Sequence, residues 1–333
     1  MSEQTGTVLD IEARRVIKRY GEQVLALDGM ELSIPKNTIY ALLGPNGAGK
    51  TTTISILTTL LEPTSGTARV LGLDVVERAR EVRERIGVTF QELVLDDELT
   101  GRQVLDYHGR LYAQSKAKRQ ARIERLLSLV ELEDAASRQA KTYSGGMKRR
   151  LELARALMTF PEVLFLDEPT LGLDPQTRTR IWDYIRSLRE SQGMTILMTT
   201  HSMDEAENLA DRVGIIDRGK LVAEGTPQAL IQQMGADTIH IIGKGDRERL
   251  AGGLRALTFV QNVDVGRNVI QVGVDSGSRR LVEIISQAAD FDFAVDDISV
   301  SKPSLGDVFL KHTGRRLRDA EDPQALKRMS LMV

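Results

Sequence analysis

Apolar residues are spaced in three ways along this chain, and each spacing predicts a different element. From about residue 11 to 40, "IEARRVIKRYGEQVLALDGMELSIPKN" alternates apolar and polar positions with turn residues between, the period of antiparallel strands. The runs "NTIYALL" (37–43), "VLFLDEPT" (163–170) and "TILMTTH" (195–201) are instead continuously apolar before they meet polar residues. A strand buried on both faces of a parallel sheet gives that pattern. Residues 100–160 carry helical spacing in "VLDYHGRLYA", "RIERLLSLVEL" and "RRLELARALM". "GTARVLGLDV" predicts a strand and turn, "IGVTFQE" a strand running into a loop, and "RVGIIDRGKLVAEG" a hairpin with a D-x-G turn. Together these predict an α/β domain over 11–235, with a parallel-sheet core, an antiparallel β lobe and a helical subdomain.

The character changes at "QQMGADT" (232–238). The pattern from there to residue 312 predicts strand, helix, two strands, helix and strand, the β-α-β-β-α-β order of a small ferredoxin-like domain over 236–312. Beyond it, 313–333 predicts a flexible, weakly basic tail: Arg315, Arg316, Arg318, Lys327 and Arg328 stand against Asp319, Glu321 and Asp322.

Composition narrows the class. Of 333 residues, 41% are hydrophobic and 28% charged, the balance of a globular protein with a full core. The formal net charge of −2 gives no overall basic field, so no nucleic acid is expected as a partner. Cysteine is absent, which excludes disulfides and thiolate metal sites and is consistent with a reducing cytosol. The four histidines are scattered, so no zinc site is expected. "MSEQTGTVLDIEARR" has no apolar signal-peptide core, and no window approaches a membrane span, so the chain is expected not to cross a membrane itself.

The densest chemistry lies in "LLGPNGAGKTTT" (42–53). Gly44, Gly49, Lys50 and Thr51 meet the pattern G-x-x-x-x-G-K-[ST]. Glycines let backbone N–H groups close around an anion, the lysine reaches β- and γ-phosphates, and the hydroxyl suits Mg²⁺. Context agrees: a buried strand precedes the loop. A helix is expected to follow through "KTTTISILTTLLE" (50–62), with Ile54, Leu57, Leu60 and Leu61 on its apolar face. A phosphate loop needs a metal-holding acid on a neighbouring strand, and Asp167 ends "VLFLD". Glu168 comes next and points elsewhere, where a carboxylate can activate water. Ser144, Gly145 and Gly146 open the helix of "TYSGGMKRRLELARAL", a second anion-seeking helix start. Either both starts face one nucleotide within the chain, or each faces a nucleotide shared with a second copy.

These motifs resemble, in order and over residues 11 to about 230, the ATP-binding subunits of ABC transporters. "GPNGAGKTT" is similar to the family's Walker A and "VLFLDEP" to its Walker B. "YSGGM" resembles the signature loop and "LGLDP" (171–175) the D-loop. Gln91 in "TFQE" matches the Q-loop glutamine, His201 the switch histidine, and Tyr20 in "KRYG" the aromatic that stacks on adenine. Each also has a bland reading: Tyr20 as a packed aromatic at a strand end, Gln91 as a solvated loop amide and His201 as a structural histidine. Tyr143, Met147 and Leu171 depart from the family's usual Leu, Gln and Ser, while Ser144, Gly145, Gly146 and Asp174 are retained.

The resemblance implies a dimer of ATPase subunits that sandwiches two ATPs. Tyr20, Asn46, Gly47, Gly49, Lys50, Thr51 and Thr52 of one copy would hold the nucleotide, with Ser144, Gly145, Gly146 and Asp174 facing it. Thr51, Gln91 and Asp167 would organise Mg²⁺, Glu168 would act as general base, and His201 would stabilise the γ-phosphate. The whole chain is similar to the daunorubicin-resistance type, including "SKPSLGDVFLKHTGRRL" (301–317). That implies a motor for export of drugs, lipids or other amphiphiles, held at the cytoplasmic face of the cell membrane by a separate permease near Gln91 and residues 92–130. The C-terminal module would be dimer-stabilising, purely structural, regulatory or partner-docking. The alternatives are a soluble, non-transport ABC ATPase and an importer subunit.

Overall fold

The alternating and continuous apolar runs become two kinds of sheet. The computed structural model describes residues 8–21, 23–92, 94–234, 237–266 and 268–314. The boundary expected at 235/236 and the tail from 315 to 333 lie outside these residues. In chain order the elements are β1 (Leu9–Tyr20), β2 (Val24–Pro35), β3 (Ile39–Leu43), α1 (Lys50–Leu57), β4 (Ser65–Val70), β5 (Leu73–Asp74), α2 (Ala79–Arg85) and β6 (Ile86–Thr89). Then come α3 (Gly101–Leu111), α4 (Lys116–Leu129), α5 (Gly145–Ala156), β7 (Val163–Asp167), α6 (Pro175–Gln192), β8 (Thr195–Thr200) and α7 (Met203–Leu209). The hairpin β9 (Arg212–Asp217) and β10 (Lys220–Gly225) follows, and after it helix α8 (Pro227–Gln232). Packing divides the chain into two units, with the break between Pro227 and Gln228.

In the first unit β1, β2, β4 and β5 form an antiparallel sheet of order β2-β1-β4-β5. The second sheet has order β10-β9-β3-β8-β7-β6; β6, β7, β8, β3 and β9 are parallel and β10 is antiparallel to β9. Every residue of β3, β7 and β8 is buried, as their continuous apolar runs require. A core of Ile11, Met30, Leu32 and Ile34 from the antiparallel sheet meets Tyr40, Leu42, Ile54, Leu57 and Phe165. Register fixes the site: Leu43 of β3 pairs with Thr200 of β8, and Thr199 with Asp167 of β7. The C-terminal ends of three neighbouring strands therefore lie together, the usual ligand edge of such a sheet.

The helix expected through Glu62 ends at Leu57. Thr59 adopts a left-handed φ of 65°, and the Leu60 N–H returns to the Ser55 carbonyl at 2.9 Å. That closes a Schellman-type turn and leaves Leu60, expected on the apolar face, 61% exposed. In the hairpin, Arg218 and Gly219 both take positive φ (48° and 76°), the two-residue geometry that suits a twisted antiparallel pair.

The second unit contains β11 (Asp237–Lys244), α9 (Arg247–Arg255), β12 (Val260–Val265), β13 (Ile270–Val274), α10 (Gly277–Asp290), β14 (Ala294–Ser301) and α11 (Leu305–Thr313). Its antiparallel sheet has order β12-β13-β11-β14. Ile239, Ile241, Ile270, Val272 and Val274 of the sheet pack with Leu250, Leu254, Ile284 and Ala288 of α9 and α10. Among the described residues no helix is long and apolar enough to cross a membrane.

Candidate functional site

The glycines of the loop between β3 and α1 have different jobs. A Cβ on Gly44 would meet the Ile216 carbonyl oxygen at 2.5 Å, and one on Gly49 (φ +109°) the Ala26 oxygen at 2.7 Å, so both seat the loop on the sheets beneath it. Gly47 (φ +78°) has nothing within 4 Å of its would-be Cβ and faces open space beside the exposed Asn46. Gly49 is the N-cap of α1 and supplies no side-chain acceptor, so the first-turn N–H groups at Lys50, Thr51 and Thr52 are offered to a ligand. The Lys50 side chain is buried along the loop, its Nζ donating to the Gly44 carbonyl at 2.7 Å and the Pro45 carbonyl at 3.3 Å.

The third partner of Lys50 is Glu168 Oε1, at 3.2 Å. Glu168 Oε2 lies 3.2 Å from His201 Nδ1, so the carboxylate bridges the two. The carboxyl is turned this way by its backbone. Glu168 takes a left-handed φ of 49°, a conformation that costs a non-glycine residue about 1 kcal/mol. Its N–H is held by the Thr199 carbonyl at 3.2 Å and hydroxyl at 3.1 Å. The two acids reach different partners, Asp167 the Thr199 hydroxyl and Glu168 the Lys50 and His201 side chains. Burial alone would raise the Glu168 carboxyl, but the His201 ring against it and the Lys50 charge outweigh that and hold it below the ordinary glutamate value. A cleft of about 90 Å³ opens here between Glu168, Leu171, Thr200 and His201.

Asp167 is fully buried. Its Oδ1 accepts from the Thr199 hydroxyl at 2.5 Å, while Oδ2 has no hydrogen-bond partner. A buried carboxylate oxygen left so is unusual, and a cation would satisfy it. The hydroxyl of Thr51, exposed in the first turn of α1, and the exposed amide of Gln91 are the other oxygen donors from the expected set.

The remaining expected residues divide. Tyr20 ends β1 and is 46% exposed with Lys18 Nζ 5.5 Å from its ring centre, an open aromatic rather than a core one. Ser144 caps α5, accepting the Met147 N–H at 3.2 Å, with Gly145 exposed beside it. A Cβ on Gly146 would meet Thr177 Cγ2 at 2.8 Å. Asp174 caps α6, accepting the Thr177 N–H at 3.0 Å and hydroxyl at 2.7 Å. The Ser144 loop and the Asp174 turn are thus neighbours, and among the described residues neither bonds to Lys50 or Glu168. Tyr143 fills the core under α3 and donates to the Ala135 carbonyl at 2.7 Å, a packing role for a departure from the family pattern.

Two residues beyond the expected set organise the site. Thr199 ties both acids, the Asp167 carboxylate through its hydroxyl and the Glu168 N–H through its oxygens. Arg149, inside α5, is buried and donates to the Asp167, Glu168 and Pro169 carbonyls. Its signal in the sequence is periodicity: Arg149, Leu153 and Ala156 fall at i, i+4 and i+7, which puts the arginine on the buried stripe of the helix.

Known proteins are similar to this chain in sequence and in fold. The family model described as "ABC transporter" matches residues 27–171. The daunorubicin resistance ATP-binding protein DrrA3 of Streptomyces coeruleorubidus is 42% identical over 306 residues, covering 91% of this chain and 96% of its own. The Nod factor export ATP-binding protein I of Burkholderia lata is 41% identical, covering 94% and 99%. Among solved structures, an ATP-binding cassette dimer in a post-hydrolysis state, bound to ADP and Pi, superposes with a TM-score of 0.60 at 28% identity. It covers 65% of this chain and 98% of its own.

Proposed function

The chain belongs to the ABC transporter ATP-binding proteins, and from that membership we propose how its residues bind and hydrolyse ATP and whom they serve. It is an ATPase subunit of the exporter type, and the observation that carries the mechanism is the Lys50–Glu168–His201 chain at the mouth of the phosphate loop.

Tyr20 offers its exposed ring to adenine. Asn46, Gly47, Gly49, Lys50, Thr51 and Thr52 hold the phosphates through backbone N–H groups and the Lys50 ammonium. Asp167, Thr51 and Gln91 would hold Mg²⁺, which when bound neutralises charge on phosphate oxygens; the unpartnered Oδ2 of Asp167 supports that assignment. Glu168, ionised at neutral pH, takes a proton from the attacking water, and His201 orients Glu168 and meets the γ-phosphate. Ser144, Gly145, Gly146 and Asp174 lie apart from this group within one chain and close over the nucleotide of a second copy. The related cassette dimer bound to ADP and Pi supports that arrangement. Binding of ATP then favours a closed dimer and hydrolysis an open one.

The partner is a separately encoded membrane permease that holds the dimer at the cytoplasmic face of the cell membrane. A cleft of about 250 Å³ supports its docking near Gln91, with Leu60, Ile86, Val88, Phe90, His108 and Tyr112 among its walls. The cargo class is drugs, lipids or other amphiphiles, in keeping with the resistance and export names of the relatives. The second unit is a ferredoxin-like module over 236–312, supported by its strand order.

The test is a pull-down of tagged Glu168→Gln protein with ATP from detergent-solubilised membranes. A stoichiometric polytopic membrane protein is the expected companion. Recovery of only soluble ribosomal, DNA-linked or assembly components would overturn the transport reading.

A further inference from the structure

We propose that Arg149 is the positioning residue that locks helix α5, and with it the Ser144 loop, to the two segments carrying Glu168 and Gln91. The proposal rests on the ATPase roles just given to those residues and assigns a role to one that none of the motifs contains.

The geometry is specific. Arg149 sits in the second turn of α5, its side chain 7% exposed. Nε donates to the Pro169 carbonyl at 2.9 Å. Nη2 donates to the Asp167 carbonyl at 2.8 Å and the Glu168 carbonyl at 2.7 Å. Nη1 donates to the Phe90 carbonyl at 2.6 Å and to Glu152 Oε2 at 3.1 Å. A guanidinium has five N–H donors in a rigid plane, and all five are used. Four of the acceptors are backbone oxygens from two segments. One segment closes β7 and carries Asp167 and Glu168; the other ends one residue before Gln91. Only a planar fork reaches them all, and a lysine ammonium, with three donors on one atom, does not.

This fork also explains how Glu168 keeps its left-handed backbone. Thr199 holds the N–H of the residue and Arg149 holds its carbonyl, so the peptide units on both sides of the turn are fixed. Glu152, itself fully buried, supplies the countercharge and accepts the Val94 N–H at 3.0 Å, which anchors the far side of the Gln91 segment. Any movement of α5 is therefore transmitted to the base and to the Gln91 loop together.

The experiment compares wild type, Arg149→Lys, Glu168→Gln and the double variant in the full chain. ATP turnover, ATP affinity by calorimetry and thermal unfolding are measured for each. Because Lys50 touches none of the Arg149 bonds, Arg149→Lys should lower kcat by ~30- to 100-fold while ATP affinity changes less than ~3-fold. In the Glu168→Gln background the same change should lower the residual rate by only ~2- to 5-fold, the part carried by the Gln91 segment, since the rest of its effect acts through Glu168. A folded Arg149→Lys protein with wild-type kcat, or losses that multiply in the double variant, would overturn the proposal. So would kcat and affinity falling together in step with a lost folded fraction. Should Arg149→Lys not fold, Glu152→Gln decides. It keeps the Val94 acceptor but removes the countercharge, so kcat should fall ~3- to 10-fold with affinity retained, and an unchanged kcat overturns the proposal. A wild-type chain that releases no phosphate from ATP would instead defeat the ATPase roles themselves.

Discussion

Replacing Glu168 by glutamine tests the centre of the site, because it keeps the side chain's shape and removes its charge. Two contacts change: Oε1 to Lys50 Nζ and Oε2 to His201 Nδ1, both at 3.2 Å. At an effective dielectric near 20, opposite charges at that distance attract by about 5 kcal/mol, most of it offset by the desolvation of two buried groups. Lys50 keeps the Gly44 and Pro45 carbonyls after the change, so the expected net destabilisation is about 1–3 kcal/mol. The effect on turnover is far larger. Loss of a general base costs on the order of 10²- to 10⁴-fold, and the amide cannot substitute for the carboxylate. ATP affinity should hold or rise, since the carboxylate that competes with a γ-phosphate for Lys50 is gone. Acidity carries a second signature. The Glu168 carboxyl is held below its ordinary 4.5, so its ionisation stabilises the fold above that pH and the contribution is lost as pH falls further. Glu168→Gln should remove that part of the acid sensitivity. The assay is phosphate release at saturating ATP beside calorimetric ATP binding. A variant turning over within ~3-fold of wild type would refute the base assignment.

Other perturbations separate binding from folding. Gly49→Ala should destabilise by ~2 kcal/mol or more, because its Cβ meets the Ala26 carbonyl at 2.7 Å at a φ of +109°. Gly47→Ala, with open space around it, should cost only ~1 kcal/mol in chemical denaturation yet weaken ATP binding. Tyr20→Ala should reduce ATP affinity by ~5- to 100-fold in a titration without lowering the melting temperature, since the ring is half exposed. His108 is held down from 6.5 to about 4 by burial and by the Arg155 charge. Its neutral form therefore stabilises the fold above pH 6.5, and that contribution is lost as the pH falls toward 4. His108→Gln should flatten this part of the stability–pH curve, and an unchanged slope would count against the burial argument.

The sheet edge was legible because its signals are local. Continuous apolar runs mark β3, β7 and β8, and a glycine–lysine loop directly after one of them marks the ligand end. The end of α1 was not legible: Leu60 and Leu61 continue the helical period, and only the left-handed turn at Thr59 shows that the chain has already left the helix. Asp174 shows a different limit. Its position in a motif suggests a ligand contact, whereas its local role is to cap α6 through Thr177, and the two roles share one carboxylate.

Arg149 shows why part of the machinery escapes motif reading. A motif marks side chains that meet the ligand, but the position of a side chain depends on its backbone, and backbone is held by whatever donors reach its carbonyls. Asp167, Glu168, Pro169 and Phe90 each give a carbonyl to one guanidinium that is 59 residues from the last of them in sequence. No spacing rule connects these positions. The connection is the parallel register of β6 beside β7, which brings Thr89 opposite Leu166 and so lays the Phe90 and Asp167 carbonyls side by side. The helix that begins at Ser144 then needs only one buried arginine to bind both strand ends. The surface offered to a second copy and the base offered to water are thereby mounted on the same rigid joint.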